Sequence, residues 1–345
     1  MIGKEKKLAI YMEGNLDSIY AKMGYGVMRY SENPIVCVID SDYSGKKVNE
    51  VIDQPFEIPI VASVGKAIEM GAEVMVLGLA PTGGKLPDTW VNDVEKALTL
   101  GMSLVNGLHD LLGERFAHLL NTDKPEQVIW DVRKPLTDYA IARARASALT
   151  NKRVLMVGTD MAVGKMTAGL EVYKWIREQG ISSDFLATGQ IGITVTGKGI
   201  PLDAVKVDQA CGAVEHLVLE AQDKDIVFIE GQGSLLHPGS TATLPLMRGS
   251  CPTHLILCHR GEMSTLRDVT DIKIPPFNEV IKLNEAVANA CGSFPKAKTV
   301  GIAVNTSKLN ESEAHQVIEK IEKETGLPVT DVVRFGAEKI GRALL

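Results

Sequence analysis

An excess of positive charge is the first thing this 345-residue chain lacks: 37 Lys and Arg face 43 Asp and Glu, a formal net charge of −6. That balance excludes a nucleic-acid partner held by bulk electrostatics, so any small anionic ligand must be met by local basic sites. Cysteine is also sparse. The five (Cys37, Cys211, Cys251, Cys258 and Cys291) are scattered, with no pair at metal-ligand spacing. The odd count argues against a disulfide framework and for a reducing, cytoplasmic setting. Long apolar runs are missing as well. Leu8–Met12 is too short for the apolar core of a signal peptide, and no segment approaches the roughly 20 residues of a membrane span. No membrane partner is expected. There are no repeats and no low-complexity stretches. What remains is ordinary globular composition, 45% hydrophobic and 23% charged, at a length that suits two domains.

The most informative stretch is 153–168, Arg-Val-Leu-Met-Val-Gly-Thr-Asp-Met-Ala-Val-Gly-Lys-Met-Thr-Ala. An apolar strand runs into Gly158, a short loop, Gly164-Lys165 and then a helical pattern. Strand, glycine loop and helix is the layout of a phosphate-binding loop. Glycine allows the tight turn, backbone N–H groups point at the anion, the helix N-terminus adds positive potential, and Lys165 brings a mobile charge. The loop departs from the usual pattern in two ways. Five residues, Thr159 to Val163, separate Gly158 from Gly164 where four are usual, and Met166 stands where a hydroxyl would ligate magnesium. Thr167 lies about 100° further round the helix and need not replace that ligand. Phosphate binding is therefore expected, with no resident metal site.

The rest of the chain alternates strands and helices, which argues for α/β architecture with parallel sheets. In the first half, strands are expected at Leu8–Tyr11, 34–40, Ile58–Val61, Val74–Leu79 and Ser103–Asn106. Helices are expected at Ser63–Met70, Trp90–Leu100 and Glu114–Asn121. In the second half, strands are expected at Val154–Val157, Asp184–Ala187, Ile226–Glu230, His254–Cys258, Val300–Asn305 and Val329–Arg334. We read residues 1–135 as a Rossmann-like domain, 136–150 as a linker helix (Ala140–Leu149 at its core) and 151–345 as a doubly wound P-loop phosphate-binding domain. No Gly-x-Gly-x-x-Gly follows the first strand, so Asp40, at the end of the second, is not taken as the ribose acid of a nicotinamide site. The Gly83-Gly84-Lys85 turn and His109-Asp110 also lie at strand ends of this half.

Around the phosphate loop, Asp225–Gly233 is an apolar strand ending in Glu230, the position of an acid that handles a cation or a reactant. Ala187–Ile193, with Gln190, closes another strand with glycines that permit close ligand approach. Asp208 and Glu215, seven apart, share a face if their segment is helical. His237, in a turn-rich loop, is a candidate general base. Arg248, His259, Arg260 and Lys273 are candidate carboxylate partners.

These motifs resemble known families. Gly-Thr-Asp-x-x-Val-Gly-Lys and the Glu-Gly-x-Gly strand ending are similar to dethiobiotin synthetases, a resemblance that implies adenine recognition by Asn305. The opening Tyr-Met-Glu-Gly, Gly-Val-Met-Arg-Tyr-Ser (26–31), Val-Ile-Asp-Ser (38–41), Ala-Thr-Gly-Gln-x-Gly-Ile (187–193) and Ile-Glu-Gly-Gln-Gly-Ser-Leu (229–235) extend it over nearly the whole chain. Together they identify the chain as similar to the DgcN-type D-glutamate N-acetyltransferases, a P-loop family formerly classed as a domain of unknown function. The resemblance implies transfer of acetyl from acetyl-CoA to a small acidic amino acid. Gly158, Thr159, Asp160, Val163, Gly164, Lys165, Met166, Thr167, Gln190 and Asn305 would hold the nucleotide, and Glu230, His237 or Asp208 would take the amine proton. Two alternatives stay open: an ATP- and Mg2+-dependent ligase or kinase of the dethiobiotin synthetase type, and a non-catalytic nucleotide-binding switch. A homo-oligomer is expected on base rates.

Overall fold

A computed structural model describes residues 2–135 and 138–345. The chain forms two units, Met1–Pro135 with Gln190–Ala204, and Leu136–Gly189 with Val205–Leu345.

In the first unit, strands β1 (Leu8–Tyr11), β2 (Ile35–Ile39), β3 (Ile60–Val61), β4 (Val74–Leu77), β5 (Ser103–Asn106) and β6 (Ile129–Asp131) alternate with helices α1 (Lys22–Tyr30), α2 (Val64–Glu69), α3 (Asp88–Thr99) and α4 (Leu112–Phe116). The pairings among these six strands are all parallel, in the order β3-β2-β1-β4-β5-β6. This is the doubly wound Rossmann order, whose direction of winding reverses between β1 and β4. Every residue of β1, β4 and β5 is buried, as parallel strands are when both faces of the sheet are covered. Tyr11 packs edge-on against Trp90 and donates to Asp93 at 2.9 Å, tying α3 to the sheet.

The second unit holds β7 (Lys152–Gly158), α5 (Lys165–Glu178), β8 (Ser183–Leu186), α7 (Ala210–Glu220), β9 (Ile226–Ile229), α8 (Thr243–Ser250), β10 (His254–Arg260), the hairpin β11 (Thr265–Leu266) and β12 (Val269–Lys273), α9 (Phe277–Asn289), β13 (Lys298–Asn305), α10 (Glu311–Thr325), β14 (Val329–Thr330) and α11 (Glu338–Arg342). Its main sheet is parallel in the order β14-β13-β10-β7-β9-β8. The strand that feeds the glycine loop is therefore central, flanked by β9 and β10, and the winding reverses at its β10 side.

Two expectations about the connections fail. The helix expected over Ala140–Leu149 does not form; Leu136 and Thr137 of the linker lie outside the described residues. The backbone N–H groups of Arg143 and Arg145 are claimed by the buried carboxylate of Glu215 at 3.1 and 2.6 Å, and Ala144 has φ 55°. Only a single turn of 3-10 helix follows, at Arg145–Ala148. A carboxylate buried on α7 thus competes successfully for the N–H groups a helix would have used internally.

The second concerns the expected uninterrupted 151–345 domain. After β8 the chain crosses to the first unit and forms α6 (Gln190–Thr196) there before returning at Val205. α6 lies on α1, and a Cβ added at Gly26 would come 2.3 Å from Cγ2 of Ile191. Smaller differences are shortenings. Glu114–Asn121 becomes α4 plus a 3-10 turn at Ala117–Leu119, and Val329–Arg334 keeps strand pairing only at Val329–Thr330. The sequence pattern also does not anticipate α1 or β6.

Candidate nucleotide site at the glycine loop

β7 ends at Gly158 and α5 starts at Lys165, so the six residues between them form the loop. Two left-handed residues bend it: Ala162 at φ 53° and Gly164 at φ 100°. Side chains would fill the cradle. A Cβ on Gly158 would lie 3.0 Å from the Lys165 ammonium, and one on Gly231 would lie 1.7 Å from the Met156 carbonyl oxygen and 2.9 Å from Cδ of Lys165. Lys165 is curled back, its ammonium donating to the Asp160 carbonyl oxygen at 2.8 Å. Burial lowers its pKa to about 8, against the pull of Cys258, Asp160 and Glu230.

The loop is pinned on all sides. Its Asp160 carboxylate accepts from Met161 N–H at 2.6 Å and from Arg267 N–H at 2.5 Å, the latter in the turn of the β11–β12 hairpin. Thr159 pairs its hydroxyl with Nδ1 of His259 at 3.0 Å. Burial drives His259 down to about 4, so its imidazole is neutral, and it packs edge-on to Phe277. Ser234 donates to the Gly158 carbonyl oxygen at 2.9 Å. None of Ser234, the His259–Thr159 pair or the Arg267 backbone is legible as a loop partner from spacing, because each arrives from a different strand end.

Glu230, just past β9, is buried. Its carboxylate accepts from the N–H groups of Thr188 and Gly189 at 2.8 and 3.0 Å. Burial nonetheless raises its pKa to about 7, opposed by those two N–H groups and by Lys165. Gly189 leaves room for it, since a Cβ there would sit 3.2 Å from Oε1 of Glu230. Asn305, at the end of β13, also reaches the loop: its side chain lies 3.8 Å from where Gly164 would carry a Cβ. The loop residues Gly158, Thr159, Asp160, Val163, Gly164, Lys165, Met166 and Thr167 are thus joined by Glu230 and Asn305. Met166 and Thr167 open α5, half-buried.

Other candidates fall elsewhere. Asp208 is exposed on a 3-10 turn ahead of α7, whereas Glu215 is fully buried and holds the 143–145 backbone with the Arg145 guanidinium. The two do not share a face, because the segment is not one helix. His237 has both ring nitrogens engaged: Nδ1 accepts from Gly239 N–H at 3.0 Å, and Nε2 donates to the Arg267 carbonyl oxygen at 3.2 Å. In this arrangement it fastens the hairpin turn to the 234–241 loop and has no free nitrogen for a substrate proton. Arg248 donates to the Val287 carbonyl oxygen, Arg260 pairs with Glu262, and Lys273 stands exposed on β12. Gln190 opens α6 in the first unit, beside Gly107.

Family comparisons agree with this architecture. Residues 140–341 match "Domain of unknown function (DUF1611_C) P-loop domain", and residues 41–135 match "Domain of unknown function (DUF1611_N) Rossmann-like domain". A D-glutamate N-acetyltransferase from Pseudoalteromonas sp is 35% identical over 88% of this chain and 89% of its own length. Another, from Tritonibacter scottomollicae, is 38% identical over 79% of this chain and 81% of its own. The crystal structure of a DUF1611 family protein from Anabaena variabilis superposes with a TM-score of 0.93 at 46% identity, covering 99% of both chains.

Proposed function

We propose that this chain, which belongs to the DUF1611 family and is an N-acetyltransferase, takes its acetyl group from acetyl-CoA and delivers it to the amine of D-glutamate or a closely similar acidic amino acid. Glu230 carries the reading. It is a carboxylate held by two backbone N–H groups beside the loop lysine, and its pKa is lifted to about 7. A base in that range accepts an ammonium proton near neutral pH, where an ordinary carboxylate is too weak.

The loop fits the pyrophosphate of coenzyme A. Glycines leave space at Gly158 and Gly231, the N-terminus of α5 faces the cradle, and Lys165 can exchange the Asp160 carbonyl oxygen for a phosphate oxygen. Met166 in place of the magnesium-binding hydroxyl costs nothing in anion binding and removes a ligand needed for phosphoryl transfer. The closeness of the Asn305 side chain to Gly164 supports a contact with an adenine-bearing ligand. The thioester supplies an activated acyl group. The protein's work is to bind the nucleotide, orient the amine, receive its proton at Glu230 and offer backbone N–H donors to the developing oxyanion.

The test is a comparison of thermal stabilisation by acetyl-CoA, CoA, ATP and ATP with Mg2+, paired with an assay of free CoA thiol in the presence of D-glutamate, L-glutamate and D-aspartate. Ligand at a hundredfold excess over its dissociation constant adds about 2.7 kcal/mol. Magnesium-independent stabilisation by CoA and acetyl-CoA, with thiol release on D-glutamate, is the expected result. Stabilisation only by ATP with Mg2+, and no thiol release, would move the site to the ligase or switch reading.

A further inference from the structure

A second cleft lies in the first unit, among motifs the glycine loop does not use. The loops after β4 and β5 and the turn after β6 enclose a cleft of about 210 Å³ lined by Pro81, Gly83, Gly84, His109 and Arg133, among others. It opens at the carboxyl ends of strands in a Rossmann-order sheet, where such sheets bind ligands. It is smaller than the roughly 300–1,000 Å³ of pockets for drug-sized molecules and suits something of amino-acid size.

The cleft is built rather than incidental. Gly83 and Gly84 both take left-handed backbone, at φ 80° and 62°. A side chain on Gly84 would strike the His109 ring, with Cδ2 only 2.2 Å from its Cβ. His109 N–H donates to the Gly84 carbonyl oxygen at 2.7 Å, and Leu86 N–H donates to the Asp110 carboxylate at 2.9 Å, which locks the two loops together. Arg133 closes the cleft with its side chain only 10% exposed. Its Nε donates to the Gly107 carbonyl oxygen at 2.8 Å, and its guanidinium pairs with Asp203.

A nearly buried guanidinium carries five donors in a planar fork and needs a carboxylate partner. Here a half-exposed one, Asp203, supplies it from the 190–204 segment. We infer that this cleft is a carboxylate-binding site for an acidic amino acid, in which Arg133 receives the ligand carboxylate and Asp203 holds its place in the free protein. His109 borders the site, its basicity lowered by burial and by the adjacent Arg133 charge, so it adds a neutral hydrogen-bonding wall. The identification of the ligand as the acyl acceptor rests on the proposed acetyltransfer.

The full-length protein can be titrated with D-glutamate by calorimetry, alongside Arg133→Lys, Arg133→Gln and Asp203→Asn, with acetyl-CoA stabilisation as the control for folding. Loss of bidentate geometry in the Lys variant should weaken glutamate binding at least tenfold, and the Gln variant more, with acetyl-CoA stabilisation retained. Asp203→Asn should tighten glutamate binding several-fold, because the competing carboxylate is gone. A merely structural ion pair predicts the opposite for Asp203→Asn: lower melting temperature and no gain in affinity. Failure of the wild type to bind glutamate, or unchanged affinity in both Arg133 variants, overturns the inference. Arg133-dependent binding without any thiol release from acetyl-CoA leaves this site standing and overturns the acetyltransfer reading. Thiol release whose KM for D-glutamate ignores Arg133 does the reverse.

Discussion

At the scale of single residues, the Lys165–Glu230 pair sets the expected pH behaviour. On the proposed acetyltransfer, Glu230 works deprotonated and Lys165 works charged; burial moves the first up to about 7 and the second down to about 8. In the free enzyme, kcat/KM for acetyl-CoA should therefore rise through about 7 and fall above about 8, with the apparent values belonging to the coupled pair. Bound phosphate keeps Lys165 charged, so the upper limb of kcat should move to higher pH. Glu230→Gln should lower kcat by about 10²–10⁴-fold and erase the rising limb, with CoA stabilisation retained. A variant that keeps the limb would show that another group takes the proton. Stability gives an independent reading of the same carboxylate. Its pKa is raised from 4.5 to about 7 on folding, so the folded state holds a proton that the unfolded state has lost. Stability from this group falls as pH climbs from about 4.5 to 7. The melting temperature of Glu230→Gln relative to wild type should rise across that window.

At the scale of elements, close helix contacts and caps carry the testable energetics. α7 and α8 approach so tightly that a Cβ on Gly249 would lie 2.4 Å from the Cys211 carbonyl oxygen and 2.5 Å from Cβ of Val214. Gly249→Ala gains helix propensity in principle, yet overpacking should destabilise the protein by about 1–3 kcal/mol. Helix α10 starts with a capping box, Asn310 accepting from Glu313 N–H while Glu313 accepts from Asn310 N–H, both at 2.9 Å. Asn310→Ala should cost about 0.5–2 kcal/mol, read from denaturant midpoints at unchanged slope. Legibility differed sharply among elements. Apolar runs such as Val154–Val157 and Val74–Leu77 announce buried strands because parallel sheets bury both faces. β6 is only three residues long and α1 contains two glycines among its nine residues, too weak a local signal to stand out. The helix expected at Ala140–Leu149 failed because its N–H groups found a carboxylate 70 residues away in sequence.

At the scale of the whole molecule, the 190–204 crossing has the largest consequence. α6 packs on α1, and Thr194, Val195 and Thr196 join Leu8, Val76 and Trp130 in lining one cavity of the first unit. Residues 1–135 expressed alone lack that cover. They should bind a hydrophobic dye and show poorly dispersed amide resonances, and a peptide spanning 190–204 supplied in trans should reverse both. A well-dispersed spectrum from the bare fragment would mean that α6 is dispensable to the first unit.

The sequence by itself determined the two α/β halves, the glycine loop at 158–165 between strand and helix, and a strand ending at Glu230, because strand burial, glycine turns and a lysine at a helix start are local demands written in contiguous residues. Only the tertiary structure decided that Asn305 stands beside Gly164, that His237 and Glu215 are occupied as braces, and that Gln190–Ala204 belong to the first unit. It also decided that Arg133 and His109 face one cleft. Those outcomes depend on which strands become neighbours and on which buried polar groups must find partners, and both are settled between segments far apart in the chain.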